Sequence, residues 1–155
     1  MVAQAVAIRS CEERDLEHFE ALGSPQHVEY CREQYGRGTS ALEILVAVDG
    51  DDVPVGKLHL DFETHAAGRT ALLIAAAVAP ELRGRGIGTA LMAAAEELVC
   101  SRGFEAIVLG VEDSNPRARR LYERLGYSAF ARDEFQYLGA PFPNPGVWMR
   151  KELEC

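Results

Sequence analysis

The sequence predicts an α+β domain whose central sheet is mixed and mostly antiparallel, with about six or seven strands and about four flanking helices. Two apolar stretches, 42–48 and 53–62, are joined by an Asp-Gly turn and are typical of an antiparallel hairpin. Another apolar strand, 70–78, leads through an amphipathic helix to a strand at 106–111, and such a unit makes its two strands parallel. The length suits one domain over residues 1–155.

The first part of the chain is predicted to contain a short strand and two helices. Residues 5–9 are apolar and favour a strand. Ser10 and Glu13 have the spacing of a capping box, which predicts a helix ending near Leu22. A Ser-Pro pair then favours a second helix over residues 24–35, because proline is well suited to the first helical turn.

The last part of the chain is predicted to alternate helices and strands. Apolar residues recur at helical spacing over 91–99. An Asn-Pro pair opens a helix over 115–126, and a glycine ends it. Strands are expected at 127–131 and 146–153, with an irregular, proline-containing segment over 132–145 between them.

Charge and hydropathy narrow the function classes. The net charge of −8 repels nucleic acid phosphates, so no nucleic acid partner is expected. No apolar run reaches the length of about 18 residues that a membrane span needs, and no signal-peptide pattern opens the chain. We therefore expect no membrane association and a cytoplasmic location.

The cysteine pattern predicts thiols without a structural or metal-binding role. Cys11, Cys31, Cys100 and Cys155 are irregularly spaced, and none belongs to a Cys-x-x-Cys pair. We interpret all four as reduced cytosolic thiols, with neither a disulfide framework nor a zinc site. No metal cofactor is expected.

A glycine- and arginine-rich loop connects the strand at 70–78 to the following helix. Its glycines and arginines are Arg83, Gly84, Arg85, Gly86 and Gly88. Glycines let the backbone curl tightly, and the free N–H groups at a helix N-terminus attract phosphate. Arginine side chains add positive charge for phosphate oxygens. The pattern predicts a pyrophosphate-binding loop, with a purely structural turn as the alternative.

Other phosphate-binding loops fit less well. A Walker loop is excluded, because no Gly-Lys-Ser/Thr follows the glycines. In a dinucleotide fold, Glu112 or Asp113 would occupy the place of the ribose-binding acid at the end of the next strand. However, the third glycine of that motif is missing, and too few residues follow Gly88 for a doubly wound sheet.

Two motifs resemble the GNAT superfamily of acetyl-CoA-dependent N-acetyltransferases. Residues 83–88 fit its Arg/Gln-x-x-Gly-x-Gly/Ala signature. Asn115, Ala118 and the Leu-Tyr-Glu-x-x-Gly-Tyr run at 121–127 fit its second signature, and residues 147–151 resemble its final strand. The resemblance extends over essentially the whole chain and implies the GNAT fold, acetyl-CoA as acyl donor, and transfer to a primary amine.

The resemblance also implies a role for each site residue. The pyrophosphate would be held by backbone amides of Arg83, Gly84, Arg85, Gly86, Ile87, Gly88 and Thr89. Main-chain groups near Ala76 and Val78 would pair with the pantetheine arm, and an N–H there could polarise the thioester carbonyl. Asn115 would help to hold that arm. Tyr122 would donate a proton to the leaving thiolate, although its place on an apolar helix stripe also fits a core residue.

The sequence offers several candidates for the general base. Many GNAT proteins carry a glutamate on the central strand, but residues 72–78 contain no acid. The alternatives are Glu112 and Asp113 after the next strand, His59 and Asp61 on the preceding strand, or a water held by backbone groups. We take Glu112 as the tentative base.

The acceptor amine is predicted to meet acids and aromatic rings. Such residues occur in the N-terminal helical region and before the last strand: Glu29, Tyr30, Glu33, Tyr35, Asp133, Glu134, Phe135 and Tyr137. They suit a cationic amine with an apolar part, in a small molecule or a peptide; ordinary solvated loops are the alternative. A non-catalytic CoA-binding sensor remains the competing function, and an exposed final-strand edge would support a homodimer.

Overall fold

A computed structural model describes residues 6–22, 25–36, 41–136 and 141–155. In these parts of the chain, seven strands form one sheet in the order β1-β2-β3-β4-β5-β7-β6. The strands are β1 Ala7–Ser10, β2 Leu42–Val48, β3 Pro54–Asp61, β4 Thr70–Val78, β5 Ala106–Glu112, β6 Ser128–Phe135 and β7 Asn144–Glu152. The helices are a ten-residue 3-10 helix Glu13–Leu22, α1 Pro25–Gly36, α2 Ile87–Ser101 and α3 Pro116–Arg124, with short 3-10 turns at Ala66–Gly68 and Pro80–Leu82.

The strand pairing confirms the predicted α+β sheet. β4 and β5 run parallel, and the other described neighbours are antiparallel. Because α2 connects β4 to β5, it forms the crossover that a parallel pair requires. A doubly wound dinucleotide fold is thereby excluded.

Two apolar clusters lie on the two faces of the sheet. The larger core packs between the sheet and α2 and α3, and it contains Leu58, Leu60, Leu73, Leu91, Val99, Leu109 and Tyr122. The smaller core packs between the sheet and the two N-terminal helices, and it contains Leu16, Phe19, Cys31, Ile44, Val46 and Ala79. No helix among the described residues has the length and apolarity to cross a bilayer.

The predicted capping box at Ser10 is wrong. Ser10 ends β1, and its hydroxyl donates to Glu43 Oε1 at 2.6 Å. Asp15 organises the start of the 3-10 helix instead, since its Oδ2 accepts from the Glu12 N–H at 2.7 Å. The buried Asp15 carboxylate is also held by two bonds of 2.7 and 2.8 Å from the Arg9 guanidinium. The second predicted helix is confirmed as α1, but Ser24 lies outside the described residues.

The prediction of an irregular segment over 132–145 is also wrong where the structure describes it. β6 continues to Phe135, and β7 begins at Asn144, with these two residues paired. Pairing with β7 satisfies the β6 backbone, so tertiary contact outweighs the charged, exposed character of this strand.

The cysteine prediction fails for two of the four residues. Cys100 at the end of α2 and Cys155 form a disulfide, with their Cα atoms 5.4 Å apart. They are 55 residues apart in sequence, so spacing gave no signal of the pairing. Cys11 and Cys31 are free thiols.

Candidate active site

The central feature of the site is a gap in the middle of the sheet. Pairing between β4 and β5 runs from Thr70 and Ala106 to Leu73 and Leu109, where it stops. Beyond that point, β4 continues to Val78 paired on its β3 side, while β5 continues paired with β7. The facing edges of the two strands therefore leave backbone groups for an extended ligand between them.

A bulge in β4 produces this divergence. Lys57 pairs with Ala77 and His59 with Ile74, so two β4 residues face one β3 residue. Ala75 has a φ of 55°, in the left-handed region that a residue with a Cβ rarely adopts. The extra residue shifts the alternation of side chains, so Leu73 packs in the larger core while Ala77 packs against the smaller one. Ala76 lies at the exposed crest of this bulge.

The glycine-rich loop follows directly and ends at an uncapped helix. Gly84 and Gly86 have φ values of 77° and 85°, which explains the need for glycine. Gly86 is the N-cap of α2 and supplies no side-chain cap, so the first amides of α2, including those of Gly88 and Thr89, have no acceptor from a capping side chain. Ile87, 1% exposed, anchors this end of α2 in the core.

The N-terminal end of α2 packs closely against β3. A Cβ on Gly56 would lie 3.2 Å from Ile87 Cγ2 and 3.1 Å from Leu91 Cδ1. The missing side chain at Gly56 therefore allows α2 to begin beside the bulge. On the other side of the loop, the Arg83 Nε donates to the Val78 carbonyl at 3.3 Å and holds the loop against the strand end.

The second motif lies against the same loop. A Cβ on Gly88 would lie 3.2 Å from Leu121 Cδ2, and one on Gly84 would lie 3.0 Å from an Arg117 guanidinium nitrogen. The loop and α3 thus form a single site. Sequence reasoning assigned no role to Arg117, although its place in the first turn of α3 brings a cation beside the glycine-rich loop. Arg85 is exposed on the same loop.

Tyr122 is buried, 8% exposed, and packs edge-to-face on Tyr127 with ring centroids 6.0 Å apart. Burial raises the pKa of its hydroxyl above the usual value of 10.0, so the phenol stays protonated at neutral pH. Tyr122 also belongs to the larger core, which confirms the alternative that it is a core residue; its role as proton donor stays a prediction.

Asn115 and Glu112 flank the opening at the carboxyl end of β5. The Asn115 Oδ1 accepts from the Ala118 N–H at 3.2 Å and caps α3. The half-buried Glu112 accepts from the Ser114 hydroxyl at 3.2 Å, and its carbonyl accepts from the Asn115 N–H. Of the other proposed bases, Asp113 is paired with Arg132.

The remaining proposed bases lie on β3. Asp61 accepts from Thr64 and the Glu63 N–H, and these hydrogen bonds with Thr64 and Glu63 lower its pKa despite desolvation. This makes Asp61 a turn-forming acid. His59 is fully buried.

An aromatic wall stands on the smaller-core face of the opening. Gly110 is the first β5 residue beyond the pairing with β4, and a Cβ there would lie 2.6 Å from Phe135 Cε1. Gly146 leaves room for the same ring, with a Cβ distance of 2.7 Å to Cε2. Trp148 packs edge-to-face on Phe135 at 5.1 Å, and its indole donates to Asp133 Oδ2 at 2.8 Å.

The acidic and aromatic residues predicted for the acceptor site differ in their surroundings. The hydrogen bond from Trp148 lowers the pKa of Asp133, which therefore stays ionised. Glu134 and Glu29 are exposed, Tyr30 stacks near His59 with centroids 6.4 Å apart, and Tyr137 lies outside the described residues. No cluster of three or more metal-ligating side chains occurs within the described ranges.

A profile of the acetyltransferase (GNAT) family matches residues 8–127, which include both motifs and the opening between β4 and β5. The chain belongs to the GNAT family.

Curated relatives resemble part of this GNAT chain. A mycothiol acetyltransferase of Beutenbergia cavernae is 37% identical over 87 residues, which cover 56% of this chain and 28% of the relative. An N-alpha-acetyltransferase 30 of Schizosaccharomyces pombe is 36% identical over 74 residues, covering 42% of this chain and 49% of that protein. The chain thus spans less than half the length of these curated relatives.

Solved structures match the GNAT fold over nearly the whole chain. A spermidine N-acetyltransferase from Vibrio cholerae, in complex with CoA and spermine, has a TM-score of 0.78 and 20% identity, with 95% of both chains covered. The ribosomal-protein-S18-alanine N-acetyltransferase from Escherichia coli has a TM-score of 0.78 and 18% identity, covering 97% of this chain and 96% of that one. At these identities the likeness concerns the fold.

Proposed function

We propose that this protein is an acetyl-CoA-dependent N-acetyltransferase that transfers the acetyl group directly to a primary amine. The observation that carries the proposal is the half-open central strand: β4 loses its β5 partner after Leu73, and the glycine-rich loop then connects its end to the uncapped start of α2. An extended arm with a pyrophosphate at one end fits such an arrangement. Family membership supports the acyl donor.

The residues present fit acetyl-CoA at three points. The amides that follow Gly86 would bind the pyrophosphate, with Arg117 and Arg85 supplying positive charge beside them. The open edge of β4 from Ala76 to Val78 would pair with the amides of the pantetheine arm. Asn115 holds the start of α3 beside this path. When bound, acetyl-CoA supplies an acetyl group activated as a thioester.

The proposal assigns each catalytic role to one group of the protein. The Ala76 region would place a main-chain N–H near the thioester oxygen, where a positioned donor stabilises developing negative charge. Tyr122, kept protonated by burial, would give its proton to the departing sulfur. Glu112, at the carboxyl end of β5, would accept the amine proton directly or through a water.

The acceptor is proposed to be a cationic amine with an apolar portion, in a small molecule or a peptide. Phe135 and Trp148 form an aromatic wall at the β5 end, and the ionised Asp133 lies beside it. The relatives and structural neighbours are named for mycothiol, spermidine and a ribosomal protein, which span both classes of acceptor.

Ligand-dependent thermal stability tests the cofactor. The melting temperature is measured with acetyl-CoA, CoA and NADH in parallel. A ligand at about 100 times its Kd stabilises the native state by about 2.7 kcal/mol, a shift of several degrees for a domain of this size. Shifts with both CoA species but not NADH support the proposal, whereas a shift with NADH alone contradicts it.

Thiol release from acetyl-CoA separates the enzyme from a non-catalytic CoA sensor. A panel of polyamines, amino acids and peptides with free N-termini is supplied as acceptors. Acceleration by an amine, lost in Tyr122→Phe, supports transfer. CoA binding with no release across the panel favours the sensor.

A further inference from the structure

A fully buried lysine lies against the bulge of β4, on the smaller-core face of the sheet. Lys57 is 0% exposed, whereas lysine is almost never fully buried without partners. Its Nζ donates to the Ala75 carbonyl at 2.6 Å. That carbonyl belongs to the one β4 residue with a left-handed backbone among the described residues of the strand.

Polar groups from three elements surround the ammonium. Besides the Ala75 carbonyl on β4, His59 Nε2 on β3 lies 3.3 Å from Nζ, and the Cys31 thiol of α1 lies 3.5 Å from the same ring nitrogen. The Phe19 ring of the 3-10 helix covers the group, with its centroid 5.4 Å from Nζ. The position of the ammonium is therefore fixed from all sides by the fold.

The hydrogen bond from Lys57 stabilises a backbone conformation at Ala75 that is unfavourable by itself. A residue with a Cβ resists a φ of 55°, and a regular strand would restore pairing with β3. A charge-assisted hydrogen bond to the carbonyl of that residue stabilises the bulged form. The same peptide unit carries the N–H of Ala76, at the exposed crest beside the gap.

We propose that Lys57 is a positioning residue that holds the Ala75 bulge, and through it the β4 backbone at Ala76, in the geometry required for acetyl transfer. This inference rests on the proposed function of the same gap. Lys57 has no access to a substrate in the opening, since its side chain is fully buried. It acts through the main chain that it holds.

The test compares Lys57→Met with Val46→Ala. Methionine keeps an unbranched chain of similar length and removes the ammonium. Val46 is also 0% exposed, pairs with Lys57 across β2 and β3, and belongs to the smaller core, so its variant loosens the same region without touching Ala75. We expect kcat/KM for acetyl-CoA, per folded molecule, to fall at least tenfold in Lys57→Met and less than threefold in Val46→Ala.

A second substitution distinguishes positioning from general damage. Glycine adopts positive φ without strain, so Ala75→Gly in the Lys57→Met background should recover at least threefold of the lost turnover. A merely structural role for Lys57 would give equal losses in Lys57→Met and Val46→Ala and no recovery, and that result overturns the proposal.

Nuclear magnetic resonance tests the contact independently of activity. We expect a scalar coupling between Lys57 Nζ and the Ala75 carbonyl carbon in the wild-type protein, and larger shifts of the Ala76 amide in Lys57→Met than in Val46→Ala. Absence of the coupling overturns the proposal even where the variant does not fold. A wild-type protein with the coupling but without acetyl transfer contradicts the proposed function instead.

Discussion

The two faces of the sheet differ in the groups that they carry, which are main-chain groups on one face and buried polar side chains on the other. On the larger-core face, the proposed binding elements are main-chain groups at the Gly84–Gly88 loop, held by apolar packing of α2 and α3. On the smaller-core face, individual polar side chains are buried: Lys57, His59 and Asp15. The first face offers backbone groups to a ligand, whereas the second holds polar side chains away from solvent. The β4 bulge is where the two meet.

Replacement of Tyr122 is expected to have the largest effect. Tyr122→Phe keeps the ring that packs on Tyr127 but removes the proton donor, so kcat should fall about 100- to 10,000-fold, the usual contribution of general acid catalysis. Steady-state kinetics check this, with CoA affinity and melting temperature as controls. Unchanged turnover would assign Tyr122 to the core alone and leave the larger-core face without chemistry.

The buried charge of Lys57 gives a pH signature on the other face. Desolvation lowers the pKa of Lys57 from 10.5 to about 8. Between these values the unfolded chain binds more protons than the native protein, so this group makes stability rise with pH. The free energy of unfolding of the wild type should therefore rise by on the order of 2 kcal/mol more than that of Lys57→Met between pH 7 and about pH 9.5.

Urea unfolding of the two proteins at both pH values measures that difference. Burial raises the pKa of the Cys11 thiol to about 12 and also raises that of Cys31, which works in the opposite direction. Both thiols are present in both proteins, so the comparison cancels most of their effect. Parallel pH profiles for the two proteins would show that Lys57 is not held in a desolvated site.

Alanine variants of two glycines with similar backbone conformations can separate an effect on CoA binding from an effect on stability. Gly86 and Gly103 have φ values of 85° and 78°, and a Cβ on either would meet no atom within 4 Å. Alanine should therefore cost each about 1–2 kcal/mol of stability. Only Gly86→Ala should weaken CoA binding, by about tenfold, because its Cβ would enter the phosphate site. Calorimetric titration with CoA provides the measurement. Equal CoA affinities of Gly86→Ala and Gly103→Ala would show that the phosphate site does not lie at Gly86.

The acceptor wall is expected to show the smallest effects. Asp133→Asn and Glu134→Gln should each raise the KM for a cationic amine about two- to fivefold, since exposed charges interact weakly through water. The KM for acetyl-CoA should not change. A neutral acceptor serves as the control, because its KM should be insensitive to both variants. Loss of kcat instead would give Asp133 or Glu134 a part in the chemistry.

The sequence predicted the tight glycine-rich loop and the start of α3 because local rules govern both. The positive φ at Gly84 and Gly86, and the Asn115 cap, are requirements that particular residue types reveal. The bulge is different, because Ala75 lies in a run of alanines with no glycine or proline to mark it. Its carbonyl accepts a hydrogen bond from Lys57, eighteen residues earlier, and no periodicity encodes that contact.

Other misses have the same origin in distant partners. The extension of β6 to Phe135 depends on β7, and the Cys100–Cys155 bond joins residues 55 positions apart. Ser10 does not cap the helix, because its hydroxyl donates a hydrogen bond to Glu43 in a different strand. The role of Arg117 becomes visible only when α3 is placed against Gly84.

The strand order has a consequence for how the protein is made. β7 comes last in the chain but lies between β5 and β6. During synthesis, β3, β4 and β5 can therefore join as soon as α2 has crossed between them, while β6 has no neighbour until β7 emerges. The strand order thus allows the gap between β4 and β5 to form before β7 is synthesised, whereas the Phe135–Trp148 contact requires β7.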